Sequence, residues 1–152
     1  MLDIYVDADG CPVKDEIYRV AARYRLNVIL VANARMRVPQ EEERVKLVLV
    51  SGEPDAADDW IAEHVQPDDV AVTTDVPLAS RCVKAGARVL SPRGRLFDEA
   101  SVGSALAARD LSAYLREIGL QTGGPAPFSK RDRSQFLQRL DQVIQAVRRS
   151  LK

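Results

Sequence analysis

Short apolar runs alternate with amphipathic segments along the first 90 residues of this chain. The runs are three to six residues long and rich in valine, isoleucine and leucine, which is typical of buried strands in a parallel sheet. They predict five strands, at Leu2 to Val6, Asn27 to Ala32, Lys46 to Val50, Val70 to Thr73 and Arg88 to Leu90.

Segments with helical periodicity lie between and after these runs. In the first of them, Pro12 stands at a helix start, and Asp15 and Glu16 lie in the opening turn, where the helix dipole favours acidic side chains. Ser129 and Asp132 form a variant of the capping box ahead of the last helix. Helices are therefore predicted from Pro12, over Asp55 to Val65, Val76 to Ala85 and Ser104 to Ile118, and from Lys130 onward.

This alternation is the signature of βαβ units. We expect a three-layer α/β/α fold with a five-stranded, mainly parallel sheet in the order 3-2-1-4-5, followed by C-terminal helices. The 152 residues suit one domain, 1–152, with a linker-like loop at 120–128 before a basic amphipathic helix. The apolar stripe of that helix packs either on its own sheet or on a partner subunit, so a homo-oligomer remains open.

Acidic side chains follow two of the predicted strands. Asp7 and Asp9 come after the first strand, and Asp75 comes after the fourth. In the order 3-2-1-4-5 these strands are neighbours, and the carboxyl ends of parallel strands open into one crevice. Helices begin at the same edge, so Asp55 and Asp58 at the start of the second predicted helix should join them. The sequence therefore predicts a group of carboxylates at one edge of the sheet.

Clustered carboxylates repel one another, which raises their pKa values or attracts cations. Oxygen ligands at an open edge suit Mg²⁺ or Mn²⁺, which hold phosphate oxygens and activate water. Each acid also has a simpler interpretation, because Asp75 and Asp55 could cap helices and Asp9 could support a turn. The joint pattern favours a metal site with five candidate ligands, Asp7, Asp9, Asp55, Asp58 and Asp75.

Composition narrows the class of protein. Apolar residues make up 46% of the chain and charged residues 29%, which is ordinary for a soluble globular domain and excludes collagen-like, disordered and membrane classes. No apolar stretch approaches the length of a signal or membrane-spanning helix, so we expect a cytoplasmic protein. Cys11 and Cys82 are predicted to be free thiols. Cys11 would lie at a helix N-cap, where the dipole lowers the pKa of a thiol, but a packed or capping role for its side chain is favoured over a thiolate.

Charge is unevenly distributed although the formal net charge is zero. Residues 128–152 contain seven basic and two acidic residues, a net charge of +5, whereas residues 1–127 contain 15 basic and 20 acidic residues, a net charge of −5. A basic helix beside an acidic crevice could steer a polyanion such as RNA toward a bound metal ion. The alternative is a helix whose solvated face happens to be basic.

Five separated motifs occur in order along the chain: DADGCPVK at 7–14, DAADDWI at 55–61, TDVPLA at 74–79, SPRG at 91–94 and GPAPF at 124–128. Together they resemble the YaiI/YqxD family of uncharacterised bacterial proteins over nearly the whole chain. The resemblance implies a PIN-like fold, related to that of PIN-like nucleases. It also implies a divalent-metal ribonuclease site at Asp7, Asp58 and Asp75, with Asp9 as the family's own addition.

The leading hypothesis is a nuclease that hydrolyses a phosphodiester bond, with RNA or another nucleic acid as its partner and no membrane. Asp7, Asp9, Asp58 and Asp75 would hold Mg²⁺ or Mn²⁺ and act in catalysis, while basic side chains contact the phosphates. The candidates for phosphate contact are Lys14, Arg35, Arg37, Arg93 and Arg133, the last two on the strength of the family motifs alone.

Two other functions stay open. A strand followed by Asp7-Ala8-Asp9-Gly10 also begins the haloacid-dehalogenase-type phosphatases, in which the first Asp is the nucleophile and the second the acid/base. Such phosphatases are expected to have a lysine and then an acidic pair after a downstream strand, but here Lys84 is followed by Arg88 to Leu90 and a basic turn, and Cys11 replaces the usual threonine. A non-catalytic RNA-binding module with the same fold is the third interpretation. A Cys-His or Ser-His-Asp enzyme would need His64, which nothing nearby in the sequence supports.

Overall fold

Strands and helices alternate through the first two thirds of the chain, and two longer helices follow. The structure is a computed structural model that describes residues 2–39, 42–53, 55–117, 119 and 127–150. Its elements are β1 (Asp3–Asp7), α1 (Lys14–Tyr24), β2 (Asn27–Ala32), β3 (Val45–Leu49), α2 (Ala56–His64), β4 (Val70–Val72), α3 (Val76–Lys84), β5 (Arg88–Leu90), β6 (Leu96–Phe97), α4 (Glu99–Glu117) and α5 (Lys130–Ser150).

The sheet has the order β3-β2-β1-β4-β5-β6, and β1 to β5 are parallel to their neighbours. The five predicted strands and their order are confirmed, with bounds within one residue. The prediction of five strands in total is wrong, because β6 adds an antiparallel sixth strand beside β5. A turn at Ser91 and Gly94 reverses the chain, and the Ser91 backbone N–H donates to the Arg95 carbonyl at 2.9 Å. A strand of two residues is too short to show an apolar pattern, so it could not be predicted from the sequence.

Two helices begin away from their predicted starts. Helix α1 begins at Lys14 rather than Pro12, because Val13 occupies the N-cap position. Helix α4 begins at Glu99 rather than Ser104, where Asp98 and Ser101 bond to each other's backbone N–H groups at 2.8 Å. These reciprocal hydrogen bonds cap the helix five residues before its predicted start. The predicted end of this helix at Ile118 lies outside the described residues.

Each face of the sheet has its own apolar core. On one face, alternate residues of β1 and β2 pack against α1 and α5, and the largest buried side chains include Ile4, Ile17, Leu30, Phe136 and Leu140. On the other face, the intervening residues pack against α2, α3 and α4, with Tyr5, Val31, Ile61, Leu78 and Val102 among the buried side chains. Helices on both faces give three layers. The stripe of α5 therefore packs on its own sheet.

The start of α5 is fixed at the edge where the parallel strands end. The predicted capping pair is confirmed, since Asp132 accepts from the Ser129 backbone N–H at 2.9 Å and Ser129 Oγ accepts from the Asp132 N–H at 3.2 Å. Of the predicted linker at 120–128, residues 120–126 lie outside the described residues. None of the helices that the structure describes has the length and apolarity needed to cross a membrane.

Gly94 permits the closest approach between α5 and the sheet. Its φ is +87°, and a Cβ at this position would lie 2.8 Å from the Gln135 carbonyl carbon and 2.9 Å from the Phe136 backbone nitrogen. Both neighbours are backbone atoms of α5, which cannot rotate away. Any side chain at position 94 would therefore push α5 off the turn.

We expect Gly94→Ala to lower the free energy of unfolding by about 3 kcal/mol, from a left-handed backbone and an overpacked contact together. Gly10→Ala is the matched control, because Gly10 also has a positive φ, +75°, but a Cβ there meets nothing within 4 Å. Its loss should be only about 1 kcal/mol. Denaturant unfolding measures both, and equal losses would contradict the close approach of α5.

Candidate functional site

Pairing between β1 and β4 brings three of the predicted acids to one edge of the sheet. Val6 of β1 is in register with Val72 of β4, so the two strands end side by side. Asp7 is the last residue of β1 and Asp9 follows two residues later, while Asp75 is the N-cap of α3 just beyond β4. The predicted convergence of these three residues therefore follows from the register of the sheet.

A buried threonine connects the two acidic segments. Thr73 Oγ1 donates to Asp7 Oδ2 at 2.9 Å and accepts from the Asp75 backbone N–H at 2.9 Å. The hydroxyl thus fixes the Asp7 carboxylate relative to the chain around Asp75. Sequence reasoning missed Thr73, because a threonine inside an apolar run is interpreted as a strand residue. Its position two residues before an N-cap acid was the available signal.

Asp9 and Asp75 each use one carboxylate oxygen in a local structural bond. Asp9 Oδ2 accepts from the Asn33 backbone N–H at 2.8 Å, which ties the end of β1 to the segment after β2. Asp75 Oδ1 accepts from the Leu78 N–H at 2.8 Å, so the predicted capping role of Asp75 is confirmed. These bonds hold the carboxylates at the sheet edge without using their second oxygens.

Helix α2 contributes the other two acids. Asp58 lies in its first turn and is partly buried, whereas Asp55 is exposed at the N-cap position with a φ of +67°. Within the described part of the chain, the Asp55 side chain makes no capping hydrogen bond, so its predicted capping role is wrong. The left-handed backbone turns that carboxylate away from the amides of the helix start.

Burial and neighbouring negative charges raise the pKa values of Asp7 and Asp58. Burial raises the pKa of Asp7, and the charges of Asp75 and Asp9 raise it further against the opposing hydrogen bond from Thr73. Burial also raises the pKa of Asp58, and the charges of Asp75, Asp7, Asp55 and Asp59 bring it to about 6. Asp58 therefore shares the electrostatic environment of Asp7 and Asp75, although it comes from a different element.

The donor set and its charge fit a hard divalent cation, which prefers carboxylate oxygens and would relieve the repulsion. The side-chain positions fit less closely. Among the described residues, no group of three or more His, Cys, Asp or Glu side chains is arranged to hold a metal ion. Binding an ion would require the carboxylates to turn toward one another from the positions observed.

The predicted phosphate contacts fall into two groups. Arg35 and Arg37 are exposed in the segment after β2, and Lys14 is the first residue of α1. Lys14 and Arg37 line the same cavity. Phosphate binding by these three residues stays a prediction.

Arg93 and Arg133 instead hold the start of α5. Their guanidinium carbons lie 5.8 and 5.1 Å from the centre of the Phe128 ring, on which both cations stack. Arg93 pairs with Asp132 at 3.2 Å. Arg133 donates to the Pro12 carbonyl and pairs with Glu16 at 3.3 Å. The contacts of both arginines are structural, and phosphate binding by them stays a prediction.

Cys11 and His64 take structural positions. Burial raises the pKa of the Cys11 thiol, so the predicted lowering by a helix dipole is wrong. Cys11 also lies two residues ahead of the Val13 N-cap rather than at it. The His64 ring stacks on Trp60 with their centres 3.8 Å apart, and its Nδ1 lies 2.7 Å from the Trp60 carbonyl oxygen.

Fold and site together define an α/β protein with a carboxylate cluster at the switch point of its sheet. The chain belongs to the YaiI/YqxD family, since residues 5–146 match the family model described as "Uncharacterized BCR, YaiI/YqxD family". The relation to PIN-like nucleases that the resemblance implies stays a prediction.

Relatives from several bacteria match the chain over nearly its full length. A UPF0178 protein of Rhodospirillum centenum is 58% identical over 98% of this chain and 99% of its own. A UPF0178 protein of Rhodopseudomonas palustris is 60% identical over 96% of this chain and 88% of its own. One from Rhodospirillum rubrum is 51% identical over 97% of this chain and 99% of its own. No solved structure matches the chain with significance.

We expect Asp58→Asn to stabilise the protein at pH 8 in metal-free buffer. The folded-state pKa of about 6 lies above the unfolded value of about 3.9, so the stability associated with protonated Asp58 is present below pH 4 and is lost as the pH rises through 6. Discounted for solvent screening, the gain should be about 1 kcal/mol at pH 8 and close to zero at pH 3.5.

Denaturant unfolding at both pH values, with a chelator present, measures this effect. Asp110→Asn is the control, because Asp110 is exposed on α4. A gain at pH 8 no larger for Asp58→Asn than for Asp110→Asn would contradict the electrostatic coupling of Asp58 to the cluster.

Proposed function

We propose that the carboxylate cluster binds Mg²⁺ or Mn²⁺ and hydrolyses a phosphodiester bond in RNA. The main support is that carboxylates from separate parts of the chain lie at one edge of the sheet. Asp7 and Asp9 after β1, Asp58 in α2 and Asp75 after β4 come from three separate segments and share one sheet edge. A fold maintains mutually repelling carboxylates at a cost in stability, and cation binding for catalysis is a common reason to do so.

In this proposal Asp7 and Asp75 are the principal ligands, and Asp9 and Asp58 hold the ion directly or through water. When bound, the cation supplies charge neutralisation for the phosphate and a more acidic water for attack. Thr73 keeps the Asp7 carboxylate aimed at the sheet edge through its 2.9 Å bond. Removing that hydroxyl would loosen Asp7 without removing a charge.

Basic residues near the cluster bind and orient the substrate. Lys14, Arg35 and Arg37 lie in the segments that follow β1 and β2, beside the edge where the carboxylates stand. Their cations would attract the phosphates on either side of the reacting bond, which the carboxylates alone would repel. The exposed positive charges of α5 extend the same attraction across a longer RNA.

We expect Asp7→Asn and Asp75→Asn each to abolish Mn²⁺ binding in calorimetry. Cleavage of a fluorescent RNA with Mn²⁺ should fall at least about 100-fold, because each variant removes a charged ligand. Both variants should fold, since an amide oxygen can still accept from Thr73 at position 7 and from the Leu78 N–H at position 75. Circular dichroism and a thermal melt check this.

Asp59→Asn is the matched control. Asp59 is adjacent to Asp58 and loses the same charge, but it is exposed and pairs with Arg81 at 2.7 Å. Its cleavage and Mn²⁺ binding should match the wild type. Cleavage that is unchanged in Asp7→Asn and Asp75→Asn would identify a contaminating nuclease and overturn the site.

Other outcomes separate the alternative functions. Binding of RNA by the wild type that survives chelation, with no cleavage at any Mn²⁺ concentration, would replace hydrolysis with a non-catalytic RNA-binding role. Hydrolysis of a small phosphoester that is lost in Asp7→Asn, with RNA left intact, would assign a phosphatase in which Asp7 is the nucleophile.

A further inference from the structure

A cavity of about 760 Å³ lies between the start of α1 and the segment that follows β2. We call it the α1 cavity. Lys14 and Tyr18 line it on the α1 side, and Arg37, Val38 and Pro39 line it on the other. Its volume lies within the range of small-molecule sites. None of the predicted ligand carboxylates lines it, so it is distinct from the cluster.

The α1 cavity adjoins the carboxylate cluster through the turn between β1 and α1. Across that turn Lys14, which lines the cavity, follows Asp9 by five residues. Asp9 also accepts from the Asn33 backbone N–H at 2.8 Å, and Arg37 of the cavity follows Asn33 by four residues, so both walls of the cavity connect directly to the cluster.

The cavity wall combines an apolar surface with two cations. The Tyr18 ring, Val38 and Pro39 offer the surface on which a planar base stacks, and the ammonium of Lys14 and guanidinium of Arg37 suit a phosphate. The Tyr18 hydroxyl is buried and has no hydrogen-bond partner within the described part of the chain. The hydroxyl is therefore not available to an occupant, and the wall offers one an apolar surface and two cations.

Two carboxylates complete the lining, those of Asp15 and Glu42. An ionised carboxylate only accepts hydrogen bonds, so these groups favour a base that carries an amino group. Adenine, guanine and cytosine have such a group, and uracil does not. The same carboxylates disfavour a purely anionic occupant such as free phosphate.

We infer that the α1 cavity binds one nucleoside monophosphate unit, with its amino-bearing base against Tyr18 and its phosphate at Lys14 and Arg37. The inference rests on the proposed function, for which it supplies a substrate-binding subsite beside the reacting bond. A base must leave the helical stack to enter the cavity, so the bound strand is unpaired at that nucleotide.

The test measures binding of a fluorescein-labelled decaadenylate to the full chain by fluorescence anisotropy, with a chelator present to stop cleavage. Tyr18→Leu should weaken binding roughly tenfold, because stacking on the ring is lost. Arg37→Met should lower the slope of log affinity against log salt by about one, because one phosphate contact is lost. Decauridylate should bind more weakly than decaadenylate.

Matched controls are Tyr114→Leu, an exposed tyrosine on α4, and Arg88→Met, an exposed arginine at the opposite edge of the sheet. Both should bind decaadenylate like the wild type. The inference is overturned if Tyr18→Leu and Arg37→Met bind decaadenylate with wild-type affinity. It is also overturned if the control variants lose as much affinity as these two variants do. Arg37 is exposed, so its variant keeps the test decisive should Tyr18→Leu fail to fold.

Two further measurements are made. The first distinguishes a free mononucleotide from a polymer as the ligand, and the second distinguishes the cavity proposal from the hydrolase proposal. Displacement of decaadenylate by AMP assigns a free mononucleotide as a ligand of the cavity, and failure of AMP to compete assigns the polymer. A Mn²⁺ titration is run on the same protein preparations after the chelator has been removed. Ion binding without decaadenylate binding overturns the cavity alone, whereas decaadenylate binding that depends on Tyr18 and Arg37 without ion binding overturns the hydrolase alone.

Discussion

The parallel pairing of β1 with β4 is the constraint on which the site depends. It places the ends of two strands that are more than 60 residues apart in the chain next to each other, and the acids beyond them follow. A shift of that register by one residue would move Asp7 relative to Thr73 and break the bond between them. The apolar residues of both strands, buried on both faces, therefore determine the geometry of the carboxylates as well as the stability of the sheet.

The carboxylate edge and the basic helix are parts of one arrangement. The start of α5 is held beside the start of α1 by Arg133 and beside the β5–β6 turn by Arg93, with Phe128 between the two cations. The guanidinium groups of both arginines are paired with carboxylates of the protein. These two residues therefore position α5 beside the site and do not add unpaired positive charges to it. Lys130 and Arg131 are exposed in the first turn of α5 at this end of the helix, whereas Arg148 stacks on Tyr24 at the far end of α1.

Much of the fold follows from local sequence patterns, because the strands of a parallel sheet are short apolar runs and their order fixes which strand ends meet. Features that depend on contacts between distant elements could not be predicted from the sequence. Strand β6 exists only because a turn folds it back onto β5. The convergence of Asp7 and Asp75 was predictable from topology, whereas the hydroxyl of Thr73 between them and the stacking of Arg133 on Phe128 depend on how separate elements dock.

The position of α5 in the sequence has a consequence for synthesis. Its contacts with α1 join residues 117 and 118 positions apart, as in the bonds of Tyr24 and Arg23 to Asp141. At translation rates of about 5 to 20 residues per second, one face of β1 and α1 stays uncovered for roughly 6 to 24 seconds after it emerges. The apolar side chains on that face are exposed during this interval, and slow codons before α5 would lengthen it.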